Sequence, residues 1–212
     1  MERLHVGTSG WSYPTWRPGF YPAGADPKTF LSYYSERFDT VELNSTGYRL
    51  PSEEQFGRWA DQTPPGFTFA VKMPPQALRS IGTFEERVGR LGAKLGPVRV
   101  VFPGKRDEGI LALLYGSLDP ALRLALDFRH ESWDGVELPS NAVVVNATDG
   151  EASFRYVRFR DPPYDEAALE SAAAGIRAQL EEGLDVFAYF RHEDEATAPA
   201  YADRLRAIVY AL

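Results

Sequence analysis

The chain contains no cysteine. That excludes disulfides, thiolate nucleophiles and cysteine-based metal sites together. No apolar run approaches the ~18 residues that would signal a membrane span. The N-terminal MERLHVGTSGW has no charged region followed by an apolar one, so no secretory signal is expected. These absences point by default to a cytoplasmic protein with no membrane partner. Histidine is scarce: His5, His130 and His192 are the only three, and no HxH or HExxH spacing joins them. A basic excess is also missing. Lys and Arg number 23 against 30 Asp and Glu, a formal net charge of −7, so nucleic acid gains no general attraction, although a local basic pocket remains compatible with it.

Hydrophobic residues make up 44% of the 212, enough for a sizeable core, and no linker, repeat or low-complexity segment divides them. A single domain over residues 1–212 is expected. Eight short apolar runs recur: Leu4–Ser9, Thr40–Asn44, Phe67–Met73, Pro97–Phe102, Leu122–Phe128, Asn141–Ala147, Arg155–Arg160 and Asp185–Phe190. Amphipathic stretches lie between most of them. Ser52 with Gln55 three residues later reads as a capping box, 84–96 reads as a helix ending at Gly96, and 165–183 is alanine-rich and closed by Gly183.

Strands alternating with helices imply βαβ units and a parallel sheet. Eight strands imply a (β/α)8 TIM-like barrel, shortened relative to the usual ~250 residues. The shortfall is local. Only RHESWDGVELPS separates strands 5 and 6, and only TDGEASF separates 6 and 7, so one or two crossover helices are missing between strands 5 and 7. The rival, an open doubly wound sheet, should carry GxGxxG after its first strand. The chain has GTSGW there, which is also not the GxSxG of a nucleophile elbow.

Side chains alternate across a strand. In TVELN, Val41 and Leu43 share one face, and Glu42 and Asn44 the other. The same alternation sets Lys72, Asp127 with Arg129, and Arg158 with Arg160 late in their strands and away from the large hydrophobes. Late in a strand means the C-terminal barrel mouth, where barrel active sites are built. This inventory suits an anionic small molecule, phosphate- or carboxylate-bearing. Glu42, Asp127 and His130 are the acid/base candidates, of hydrolase, lyase or isomerase type. Asn44, Lys72, Arg129 and Arg158 are candidate binders, with Tyr48, Trp11 and Trp133 as pocket walls. Structural ion pairs, Glu42–Arg158 and Asp127–Lys72, are the plainer alternative. No cofactor is expected. A divalent metal on Glu42, Asp127 and His130 is conceivable but unsupported by spacing. A nuclease-like or nucleic-acid-binding barrel, or a non-catalytic metabolite binder, are the alternative functions.

Several long stretches, in order, carry a family resemblance: GTSGW with FYP, VELNSTGYRLPS, RWADQTPPGFTFAVKMP, LGPVRVVFP, LALDFRHESW and YVRFRDPPY. They resemble domain of unknown function family 72, the YecE-like proteins, over nearly the whole chain. The resemblance implies a TIM-type barrel and names no activity. The chain departs from the family pattern at Arg160 and Asp161, where histidine and glycine are common, and at Arg191 and His192 in FRHED. Asp127 stands where glutamate is usual.

Overall fold

The computed structural model describes residues 3–211. Its strands are β1 (Leu4–Thr8), β2 (Thr40–Leu43), β3 (Thr68–Lys72), β4 (Leu95–Phe102), β5 (Leu124–Phe128), β6 (Ala142–Val144), β7 (Phe154–Phe159) and β8 (Asp185–Phe190). Its helices are α1 (Phe30–Ser35), α2 (Glu53–Asp61), α3 (Ile81–Val88), α4 (Glu108–Ser117), α5 (Glu166–Glu181) and α6 (Thr197–Tyr210). No α-helix follows β5 or β6, where the short connections predict the gaps. A single 3-10 turn, Glu131–Trp133, stands in the first of them. No helix among the described residues is long and apolar enough to cross a membrane.

All ladder pairs are parallel. One sheet runs β1-β8-β7 and the other β2-β3-β4-β5-β6. The sheets approach at two seams. At one, Ser9 forms a parallel bridge with Glu42. At the other, Asn146 N donates to the Tyr156 carbonyl at 2.9 Å. The arrangement is TIM-like, with α/β layering and two parallel arcs.

The alternation places the large hydrophobes as expected. Val41, Leu43, Phe69, Val71, Leu124 and Leu126 join the main core between strands and helices. A second, smaller core lies between the two sheets, built by Ala70, Ala125, Val143, Phe154, Tyr156, Phe187 and Tyr189. Small residues on β3 and β5 leave the room that the rings on β7 and β8 fill, which keeps interior packing dense. His5 belongs to the opposite end from the strand C-termini. It stacks on Phe187 at 4.6 Å and its Nδ1 lies 2.8 Å from Asp39 Oδ2.

Local signals explain several helix ends. Ser52 accepts from Gln55 N at 3.2 Å, while the Gln55 side chain accepts from Arg58 instead of closing the box. Asp107 and Asp165 cap α4 and α5. Gly183, at φ 85°, ends α5 with Gly183 N→Leu180 O and Leu184 N→Gln179 O bonds, a Schellman ending. Two expectations are corrected. The helix expected over 84–96 ends at Val88 and continues as a 3-10 segment broken by Gly92 at φ 55°. The strand expected over 141–147 keeps only Ala142–Val144, because Asn146 turns left-handed at φ 69°.

Candidate functional site

Inward-facing polar side chains meet at the C-terminal ends of the strands. Glu42 is fully buried. Its Oε1 accepts from Ser9 Oγ at 3.1 Å and Arg158 Nε at 3.0 Å, and its Oε2 accepts from Tyr156 Oη at 2.7 Å. Arg99 Nη1 approaches Oε2 at 3.4 Å. Arg158 Nη2 also donates to Ser9 Oγ at 3.0 Å. Burial alone would raise this carboxyl. The Arg158 and Arg99 guanidiniums and the Arg158 and Tyr156 hydrogen bonds outweigh it and hold the group down at about 2.

Asp127, 2% exposed, is the second anion. Arg99 Nε donates to its Oδ2 at 2.9 Å, and Arg129 clasps it with Nε 2.8 Å from Oδ1 and Nη2 3.0 Å from Oδ2. Arg160 Nη2 lies 2.9 Å from Oδ1 but off the hydrogen-bonding angle. That contact is an ion pair only, and the buried Arg160 Nε and Nη2 have no acceptor among the described residues. Burial, with Arg129, Arg158 and Arg99 nearby, pushes Arg160 below its ordinary value.

Lys72 completes the cluster. Its Nζ lies 5.1 Å from the centre of the Tyr48 ring, which is itself 77% exposed. Five cations, Lys72, Arg99, Arg129, Arg158 and Arg160, therefore face two carboxylates whose four oxygens are already engaged. Asn146 fixes part of this geometry. Its Oδ1 accepts from Arg158 N at 2.6 Å and its Nδ2 donates to Arg158 O at 3.2 Å. The side chain thus acts as a surrogate strand residue for β7 beside the site.

The structure brings together Glu42, Asp127, Lys72, Arg129 and Arg158, with Tyr48 over Lys72. Four expected members, Asn44, Trp11, His130 and Trp133, lie elsewhere. Asn44 does not share Glu42's face: β2 ends at Leu43, and Asn44 turns into the 3-10 segment Ser45–Gly47 and lines a separate cavity of about 430 Å³ with Trp11, Tyr13 and Trp59. His130 spends its Nδ1 accepting from Ser132 N at 3.1 Å. Trp133 stacks on Phe128 at 4.4 Å and donates to Gly104 O at 2.9 Å. Both border a cavity of about 1030 Å³, which opens where the crossover helices are missing and reaches the charge cluster only at Arg129. The charge cluster marks the candidate site better than that cavity does, because buried charges without a role are costly.

Arg99 and Tyr156 were not among the expected site residues. Arg99 follows the alternation of PVRVVF, with Val98 and Val100 on the other face, and that pattern alone would have found it. His192 stacks on Tyr13 at 4.5 Å, and its buried Nδ1 has no partner among the described residues. Burial, Arg191 and Arg158 lower it, favouring neutral imidazole. Glu42, Asp127 and His130 do not converge, and no group of three or more His, Asp or Glu among the described residues is placed to hold a metal.

Two curated relatives, the UPF0759 protein YecE of Escherichia coli K12 and of Escherichia coli O157:H7, are each 30% identical over 140 residues. That match covers 60% of this chain and 48% of the relatives, so the chain spans about half the length of the curated relatives it matches. Two crystal structures of a DUF72 family protein from Enterococcus faecalis V583 superpose with TM-scores of 0.78 and 0.76. They cover 99% and 100% of this chain, and 96% and 99% of theirs, at 15% and 14% identity, which speaks to the fold alone. The family model described as protein of unknown function DUF72 matches residues 5–211, and this chain belongs to that family.

Proposed function

We propose that the eight strands close into a shortened (β/α)8 barrel whose C-terminal mouth binds a small phosphate- or carboxylate-bearing substrate, and that the protein is an enzyme acting on it, set in the cytoplasm. The Ser9–Glu42 bridge and the Asn146–Tyr156 bond support the closure. One observation carries the anion. Arg160 keeps buried N–H groups without acceptors inside a cluster that already has excess positive charge. Unsatisfied buried donors and repelling guanidiniums destabilise a fold, and a bound anion would relieve both. Glu42 and Asp127 then serve as fixed counter-ions that aim the arginines. Glu42, held near 2, stays ionised at neutral pH and cannot donate a proton there.

The test is thermal unfolding with inorganic phosphate, sulfate and small carboxylates, against chloride at equal ionic strength. A ligand at a hundredfold excess over its Kd adds ~2.7 kcal/mol, which raises Tm by about 5–10 °C for a chain of this size. Arg160→Met should lose most of that rise, while its Tm without ligand stays level or increases. An absence of stabilisation by every anion would overturn the reading.

A further inference from the structure

The segment Asn44–Tyr48 wraps one side chain from backbone to tip. Thr46 Oγ1 sits between the Leu43 carbonyl at 2.5 Å and the Lys72 carbonyl at 2.7 Å and shares its one proton with both. Gly47 gives the lysine stem its channel, since a Cβ there would collide with Lys72 Cδ and Cε. The Tyr48 ring stands over Nζ. No hydrogen bond or ion pair reaches that Nζ among the described residues, although its strand neighbour in register is Arg99. The other lysines differ. Lys94 Nζ is held by Ala60 O, Thr63 O and Thr63 Oγ1, and Lys28 and Lys105 are exposed. A positioned, unpaired amine beside guanidiniums is an arrangement that serves covalent chemistry better than simple charge.

We propose that Lys72 is a nucleophile that forms an imine with the carbonyl of a small anionic aldehyde or ketone, a reading that rests on the anion site above. The neutral amine's lone pair attacks the carbonyl carbon, one of its N–H protons passes through solvent to the carbonyl oxygen, and the second is released to solvent when the hydroxyl departs. The carbinolamine hydroxyl takes up a proton and leaves as water. The sum is one amine and one carbonyl giving one imine and one water. Protonated, the imine draws electrons from the adjacent carbon, which favours breaking a C–H or C–C bond there. The arginines hold the anionic end while this occurs. Burial, followed by the repulsion from Arg99, lowers Lys72 from the ordinary lysine range and enlarges the amine fraction.

Reductive trapping tests it. The protein is incubated with glycolaldehyde phosphate and sodium cyanoborohydride, and the four lysines are mapped by mass spectrometry. The expected result is labelling of Lys72 several-fold above Lys28 or Lys105, since its amine is positioned, unpaired and beside the cations that hold the anionic end of the aldehyde. Lys72→Arg should abolish that label. Neutral glycolaldehyde should label Lys72 about tenfold less, for want of the anion contact. Even labelling of the exposed lysines and Lys72, with phosphate stabilisation intact, overturns the imine and leaves the anion site standing. Equal Lys72 labelling by both aldehydes, with no phosphate stabilisation, keeps the reactive amine and removes the anion site. Because the wild-type map alone decides between Lys72 and the surface, a poorly folding variant does not block the test.

Discussion

At the scale of single residues, Glu42 is the most informative. A carboxylate in the middle of a buried strand carries a desolvation penalty of several kcal/mol unless it is paired and hydrogen-bonded. Here four side chains engage it. Its folded value of about 2 lies below the ordinary 4.5. The unfolded chain therefore takes up the proton first on acidification. Glu42's contribution, ~3 kcal/mol, is whole above the ordinary value and drains away as pH falls toward the folded one. Urea midpoints between about pH 6 and pH 2 should show a steep acid limb in the wild type and a shallower one in Glu42→Gln. The variant should also lose about 3–5 kcal/mol at neutral pH, because Arg158 and Arg99 are left with an uncompensated buried charge. Identical acid limbs would show that Glu42 does not govern acid stability. The identity of this inward residue was legible from TVELN. Its partners were legible only in part: Glu42–Arg158 was expected, but Asp127 pairs with Arg99, Arg129 and Arg160 and not with Lys72.

Among the elements, β6 and its seam with β7 are the weak point. β6 has only three residues, and its chain leaves the ladder at Asn146. Asparagine tolerates the left-handed region better than branched residues do. Its amide replaces a missing peptide unit by bonding both the N–H and the carbonyl of Arg158. Asn146→Ala should lower stability by about 1–3 kcal/mol through the lost bonds and the positive φ. Asn146→Gly relieves the backbone term and should recover a part of this. The same variants should weaken phosphate stabilisation, since the Arg158 backbone is no longer pinned. Urea unfolding with and without phosphate checks both effects, and an unaltered phosphate response would detach Asn146 from the site. The run NAVVVNA reads as one continuous strand in sequence. Its periodicity carries no mark of the left-handed residue, which only the neighbouring β7 stabilises.

For the whole molecule, the missing crossover helices set the asymmetry. Among the described residues six α-helices cover eight strands, and the uncovered flank holds the cavity of about 1030 Å³. Backbone there has fewer buried apolar neighbours, so it should open at lower free energy than the middle of the larger sheet. Hydrogen exchange should release the amides of Ala142–Val144 well before those of β4 and β5. Equal protection across the five strands would contradict this. The shortening itself was readable from connection lengths, because twelve residues cannot hold a strand-to-strand crossover helix and its loops.

The sequence by itself determined the α/β order, the family, the place of the missing helices and the inward face of Glu42, Lys72, Asp127 and Arg158. Those follow from local periodicity and from the length of chain between elements, both written in neighbouring residues. Tertiary structure decided the pairing. Arg158 meets Glu42 across 116 residues, Arg99 lies between both carboxylates, and Arg160 is left with donors to spare. It also turned Asn44 away and wrapped Thr46, Gly47 and Tyr48 around Lys72. Such choices depend on which strand ends the fold sets side by side, and on how many acceptors are present there to satisfy each charge.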